Sequence, residues 1–133
     1  MSGAYQLLLR LKRGRRIKVG KLGAFYLPAG WYVYTGSALK GLEARVRRHL
    51  SRPRSKRWHI DYLVECADSI VAFLYPSSRR LECELNLKTL SLPGAEVPIL
   101  GFGSSDCRTC PAHLVRFRRR PPLPLRQFPS LRF

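Results

Sequence analysis

The sequence predicts a mixed α/β (α+β) domain around a small, largely antiparallel sheet flanked by helices. Two observations lead there. Strand-like segments fill the first 35 residues, whereas helical spacing begins only at Leu42 and is thereafter intermixed with further strands. Turn residues separate the pieces throughout. A length of 133 residues suits one domain, and a hydrophobic content of 45% fills a core, which excludes a wholly disordered basic chain.

Ala4 to Lys12 carries the apolar run Leu7-Leu8-Leu9 and reads as a strand, with Arg13 to Arg16 as the turn after it. Ile17 to Val19 and Ala24 to Leu27 are short strands punctuated by Gly20, Gly23 and Pro28. Trp31 to Thr35 is all aromatic or β-branched, the clearest strand in the chain. Gly36 to Gly41 is a loop, and Leu42 to Leu50 a helix stopped by Ser51-Arg52-Pro53. A basic loop leads to a short helix over Trp58 to Cys66, then a strand over Ser69 to Tyr75 closed by Pro76. Arg79 to Leu90 has helical spacing; Gly103 to Ala112 is a loop and His113 to Phe117 a last strand. Residues 1–117 form the domain. Arg118 to Phe133, rich in proline and arginine, is expected to be an unstructured basic arm, in which Pro121 to Arg126 formally matches a PxxPxR peptide ligand.

The formal net charge of +17 comes from 25 Lys/Arg against 8 Asp/Glu. Residues 1–60 hold 15 Lys/Arg and a single acid, Glu43; residues 61–117 hold five bases and seven acids; residues 118–133 add five arginines. A field of one sign over half a small domain concentrates polyanions, so nucleic acid is the leading partner. Lys40, Arg47, Arg48, Arg52, Arg54, Lys56 and Arg57 are the candidate phosphate contacts. No apolar run approaches the ~20 residues that span a bilayer, and no membrane partner is expected. Met1 to Tyr5 lacks the pattern of a secretory leader, and four cysteines then suggest a reducing, cytoplasmic setting with thiols free or metal-bound.

At ~100° per residue, Leu42, Val46 and Leu50 form the buried stripe of the first helix. Arg45 and His49 lie on one border of it, Glu43 and Arg47 on the other, and Arg48 points to solvent. A border arginine can fork onto phosphate oxygens at a sheet rim, or merely snorkel along the core edge. Tyrosines at strand ends, such as Tyr5 and Tyr34, are ordinarily core residues with one wet edge.

Gly3-Ala4-Tyr5, Tyr34-Thr35-Gly36 and Leu42-Glu43-Ala44-Arg45 followed by His49 together resemble the GIY-YIG nuclease domain. With the long insertion between the tyrosine motifs, Trp58 to Leu63, and Gly101 to Cys107 before Cys110 and His113, the chain is more closely similar to a GIY-YIG-related subfamily of uncertain function. Members occur alone or fused to endonuclease III-type DNA glycosylases. The resemblance, over residues 3–117, implies an endonuclease that hydrolyses phosphodiester bonds in DNA with one Mg²⁺ or Mn²⁺. It implies that Tyr5, Tyr34, Arg45, His49 and a later glutamate form the site. Tyr34 would act on the attacking water, Arg45 would steady the phosphate, and the glutamate would hold the metal. A DNA glycosylase or other repair enzyme would be the partner.

Two glutamates compete for the metal role. Glu84 stands four residues before Lys88, the favourable order for a helical ion pair, which leaves Glu82 preferred. The Ile17 to Leu27 insertion implies an added strand or hairpin that would widen or cover the active face. Ala4 and Ser37 depart from the residues common in relatives.

Cys107, Cys110 and His113 have zinc-ligand types at short spacing, and Cys66, Cys83, His49 or Asp106 would be the fourth ligand. Ordinary buried cysteines are the alternative reading. His59 reads as a packing or hydrogen-bonding residue. Besides a nuclease, the sequence thus admits a non-catalytic nucleic-acid-binding module and a zinc-stabilised adaptor docking through its tail.

Overall fold

Leu7, Leu8 and Leu9 are all buried because the strand that carries them is covered on both faces. A computed structural model describes residues 1–104 and 107–133. In chain order it contains β1 (Gly3–Leu11), β2 (Arg15–Val19), β3 (Gly23–Leu27), β4 (Gly30–Ala38), α1 (Leu42–Leu50), α2 (His59–Cys66), β5 (Ser69–Pro76), α3 (Glu82–Leu90), β6 (Leu114–Phe117) and β7 (Leu131–Arg132). Five strands form one antiparallel sheet in the order β6-β4-β1-β5-β7, consistent with the small α+β fold read from the sequence. No helix among the described residues is long and apolar enough to cross a membrane.

Odd-numbered residues of β1 (Tyr5, Leu7, Leu9, Leu11) pack with α1 and α2 through Leu42, Val46, Ile60, Leu63 and Val64. Even-numbered Ala4 and Leu8 face the opposite way and join Val33, Phe73, Tyr75 and Leu85 of α3. Gln6 is a buried polar exception. Its amide donates to Thr35 Oγ1 at 3.0 Å and Thr89 Oγ1 at 2.7 Å, and its carbonyl accepts from the Tyr75 hydroxyl at 2.8 Å, so the network is satisfied.

The insertion forms the expected hairpin, with β2 and β3 as a separate two-stranded sheet. Ile17, Val19 and Leu27 join the core on the α1 and α2 side. The hairpin supplies no residue to the cleft described below, so it neither widens nor covers it.

The C-terminal arm differs from the expectation of an unstructured tail. Leu125 and Phe128 are buried among Leu8, Val33, Phe73 and Tyr75. The Leu125 N–H donates to the Tyr75 hydroxyl at 3.2 Å, and the Phe128 ring meets Tyr75 edge-on at 6.3 Å. β7 then pairs with β5, Leu131 opposite Leu74. The physical reason is that this sheet face has too little helix over it, and the scattered apolar residues of the tail cover the remainder. Leu125 of the PxxPxR segment is buried in that packing, and Pro121 is buried as well.

Candidate functional site

Tyr5 from β1, Tyr34 and Ser37 from β4, Arg45 from α1, Glu82 from α3 and Gly103 from the segment before β6 line one cleft of about 500 Å³. The register that pairs β1 with β4 sets Tyr5 opposite Gly36, and the tyrosine ring lies directly over that glycine. A Cβ on Gly36 would stand 2.5 Å from Tyr5 Cζ and Oη, so the absence of a side chain is what lets the phenol reach the cleft. Gly103 has φ of +68° and would place a Cβ 2.9 Å from Tyr34 Cε1.

His49 lies behind Tyr5. Its Nε2 is 2.7 Å from the Tyr5 hydroxyl, and its Nδ1 is 3.8 Å from Asp61 Oδ1. With the ring proton on Nδ1, facing the carboxylate, Nε2 accepts the Tyr5 proton. Burial lowers the His49 pKa to about 4, helped by Arg48 and Arg45 and opposed by Asp61, so the ring is neutral near pH 7. Burial likewise raises both phenols well above their ordinary range, with Tyr34 adding to the rise at Tyr5 and Glu82 to that at Tyr34, while Arg45 pulls both down.

Arg45 is held in two ways. Its Nη1 donates to the Ser37 carbonyl at 3.2 Å, and its guanidinium lies 4.6 Å from the Trp58 ring centre. Arg48 sits 4.6 Å and Arg57 5.4 Å from the same ring. Arg48 therefore does not point to solvent as helical spacing suggested. Its two terminal nitrogens donate to the two oxygens of buried Asp61 at 3.0 and 3.1 Å. Asp61 also accepts the backbone N–H groups of Arg57 and Trp58, at 2.7 and 3.1 Å. It occupies the third position of α2 and reaches back to the N-cap, one half of a capping box. Burial raises its pKa, but the Arg48 bonds and the two backbone donors outweigh that and hold it below the usual carboxylate range.

Arg52 is likewise committed to structure, donating to the carbonyls of Val64 and Ala67 near the C-terminus of α2. Arg47 pairs loosely with Glu43 at 3.9 Å, and Lys56 pairs with Glu65. Lys40, Arg54 and Arg57 are exposed, with Arg57 lining the cleft. Arg80 also lines the cleft, a cation that sequence reasoning did not single out.

Of the two glutamates, Glu82 lines the cleft, with Oε2 3.3 Å from His113 Nδ1. Glu84 pairs with Arg79 at 3.0 Å, and not with Lys88. His59 Nδ1 accepts the Gly103 N–H at 2.9 Å, which ties α2 to the segment before β6.

Cys83, Cys107, Cys110 and His113 come together with their ligand atoms all within 4.8 Å of one another, a Cys3His group that could hold a metal ion such as zinc. Cys83 supplies the fourth position. Cys66 sits apart on α2, its thiol against the Tyr62 and Leu63 carbonyls, and His49 is engaged with Tyr5. Asp106 lies outside the described residues. Cys83 and Cys107 Sγ are 3.0 Å apart, and Thr109 Oγ1 lies 3.5 Å from Cys107 Sγ. Burial and the neighbouring thiols push Cys83 upward; burial acts the same way on Cys107, but the adjoining Thr109, Cys83 and His113 side chains outweigh it and draw its thiol below the usual range.

The fold and the site thus define a small α+β domain in which a cation-rich, tyrosine-lined cleft adjoins a Cys3His group. The chain belongs to the family described as domain of unknown function DUF123, whose model matches residues 4–127. No curated protein and no solved structure matches it.

Proposed function

We propose that the protein is a metal-dependent phosphodiesterase that cleaves nucleic acid, DNA in preference to RNA. The observation that carries this reading is the convergence of Tyr5, Tyr34, Arg45 and Glu82 on one cleft from four separate elements, with His49 bonded to Tyr5 behind them. Among the described residues, Arg45, Arg57 and Arg80 accompany one lining carboxylate, so the cleft attracts a phosphodiester. Arg45 is fixed by Ser37 and Trp58 before substrate arrives, and a preorganised guanidinium costs little to reorient as charge develops on the phosphate.

Tyr34, kept protonated by burial, orients a water through its oxygen and becomes a base only as neighbouring positive charge offsets that burial. Neutral His49 holds the Tyr5 hydroxyl in one orientation. Glu82 is suited to Mg²⁺ or Mn²⁺, because Mg²⁺ takes one or two carboxylates together with substrate phosphate oxygens. Its Oε2 faces His113, which leaves Oε1 as the atom to meet a cation. The ion, when bound, neutralises charge at the phosphate.

One observation favours a second reading, a nucleic-acid-binding module without turnover: burial keeps both cleft phenols protonated, so little phenolate is present to act as a base. Incubation with flap, branched and abasic DNA and matched RNA, with Mg²⁺ or Mn²⁺, separates the two. The nuclease reading expects metal-dependent cleavage of DNA, reduced about 10²–10³-fold by Arg45→Ala while binding persists. Binding with no cleavage on any substrate overturns it in favour of the module.

A further inference from the structure

We propose that Cys83, Cys107, Cys110 and His113 bind one zinc ion, and that Glu82 joins that ion's shell to the wall of the cleft. Three thiols and an imidazole are the donor set of closed, tetrahedral structural zinc sites. Zn–S bonds of about 2.3 Å and a Zn–N bond of about 2.0 Å set tetrahedral ligand atoms about 3.5–3.8 Å apart. The separations here, 3.0 Å for Cys83 and Cys107 and at most 4.8 Å within the group, bracket that spacing. Closure therefore needs side-chain adjustments only.

The second observation is His113 itself. The residue is 1% exposed, and its Nε2 is buried without a hydrogen-bond partner. A buried ring nitrogen with no partner is costly unless a donor or a cation meets it. Its Nδ1 faces Glu82 Oε2 at 3.3 Å, and that carboxylate favours the tautomer with the proton on Nδ1. The lone pair is then on Nε2, available to the ion. A metal-bound histidine whose other nitrogen faces a carboxylate is the usual outer-shell arrangement, and the carboxylate raises the basicity of the ring.

The ion would tie the start of α3, through Cys83, to the segment 101–113. That segment supplies Gly103 beneath Tyr34 and the N–H that His59 accepts. Zinc thus acts as a staple for one wall of the cleft, and Glu82 as a positioning residue on that side. Zinc binding stands apart from the nuclease reading; only the significance of Glu82 for cleavage rests on it.

Metal analysis of the full chain, produced with zinc available and dialysed, tests the site. One equivalent of zinc is expected, and Co²⁺ replacing it should give the visible bands and thiolate charge-transfer absorption of a tetrahedral sulfur site. Cys83→Ser should weaken that charge-transfer band and lower affinity in competition with a chelator. Glu82→Gln should retain one equivalent at saturating zinc but bind it about 10–100-fold more weakly. Well under one equivalent in the wild-type chain with no cobalt spectrum overturns the site. An unchanged spectrum and affinity in Cys83→Ser overturns the ligand set, and unchanged affinity in Glu82→Gln overturns the link to the cleft. These readouts do not use cleavage, so an inactive protein that holds zinc would sink the nuclease reading and leave this one standing.

Discussion

Asp61→Ala is expected to unfold the domain about 11 °C earlier than the wild type. The carboxylate is fully buried and accepts four hydrogen bonds, two from Arg48 and two from the backbone N–H groups of Arg57 and Trp58. Breaking a buried ion pair from one side costs about 3–5 kcal/mol, because the remaining charge and donors lose their partner. The Arg48 side chain keeps 21% exposure and regains some hydration, which places the loss near the lower limit, about 3 kcal/mol. An unfolding entropy of about 2.1 cal/mol/K per residue over 133 residues gives about 0.28 kcal/mol/K, and about 3 kcal/mol then corresponds to about 11 °C. Calorimetry at neutral pH reads this directly.

Arg48→Ala should behave similarly, and the double variant should be less than additive by at least about 1 kcal/mol, since both sit in one network. The sign of the pH dependence follows from the depressed Asp61 pKa. Its contribution is present above the unfolded value of about 3.9 and is lost as pH falls through the lower folded value, so wild type and Asp61→Ala should converge in strong acid. A Tm within about 3 °C of wild type at pH 7, or strict additivity with Arg48→Ala, would show that Asp61 is not the anchor described.

His49, with a folded pKa of about 4 against about 6.5 unfolded, contributes stability above pH 6.5 that is lost as pH falls toward 4; His49→Gln should flatten the wild-type Tm profile across that window. Phe128→Ala should cost about 3 kcal/mol, the lower end for a buried phenylalanine since 9% of the residue is exposed, and a thermal melt no different from wild type would mean that the arm is not packed. Gly103→Ala forces a side chain onto φ of +68° and against Tyr34, so it should lose about 1–2 kcal/mol from the backbone alone; an unchanged melt would contradict that geometry.

What could be read in the sequence followed from how local its cause was. The limits of α1 at Leu42 and Leu50 were legible because the apolar spacing lies within the helix and the Ser51-Arg52-Pro53 stop follows it directly. The orientation of Arg48 was not, because the carboxylate that holds it arrives from α2, thirteen residues on. An acid three residues past Trp58 was the available signal, and it marks a helix start without revealing a cation partner. Proline and arginine content concealed the packed arm, since composition does not weigh the few apolar residues that complete a sheet face. Of the candidates for the fourth cluster residue, only the crossing of α3 with the segment before β6 selects Cys83 over Cys66. Charge alone does not separate the basic residues, yet Arg48 is tied to Asp61 and Arg52 to the carbonyls at the end of α2.

The placement of the acids sharpens the role of Glu82. Among the described residues, Glu43 faces Arg47, Glu65 faces Lys56, Glu84 faces Arg79, Glu96 faces Arg116, and Asp61 is chelated by Arg48. Asp68 accepts the Lys12 backbone N–H. Asp61 has His49 nearby in addition to Arg48, whereas the ion-pair contact of Glu82 is a histidine without an arginine, although Arg45, Arg57 and Arg80 line the same cleft. In a chain of net charge +17, a half-buried carboxylate is easily paired with an arginine. Under the proposed phosphodiesterase reading, keeping it turned toward an imidazole would leave one oxygen for a cation that arrives with the substrate, and the arginines for the phosphate. On that reading, an arginine turned onto Glu82 would satisfy both groups and leave neither free for the proposed chemistry.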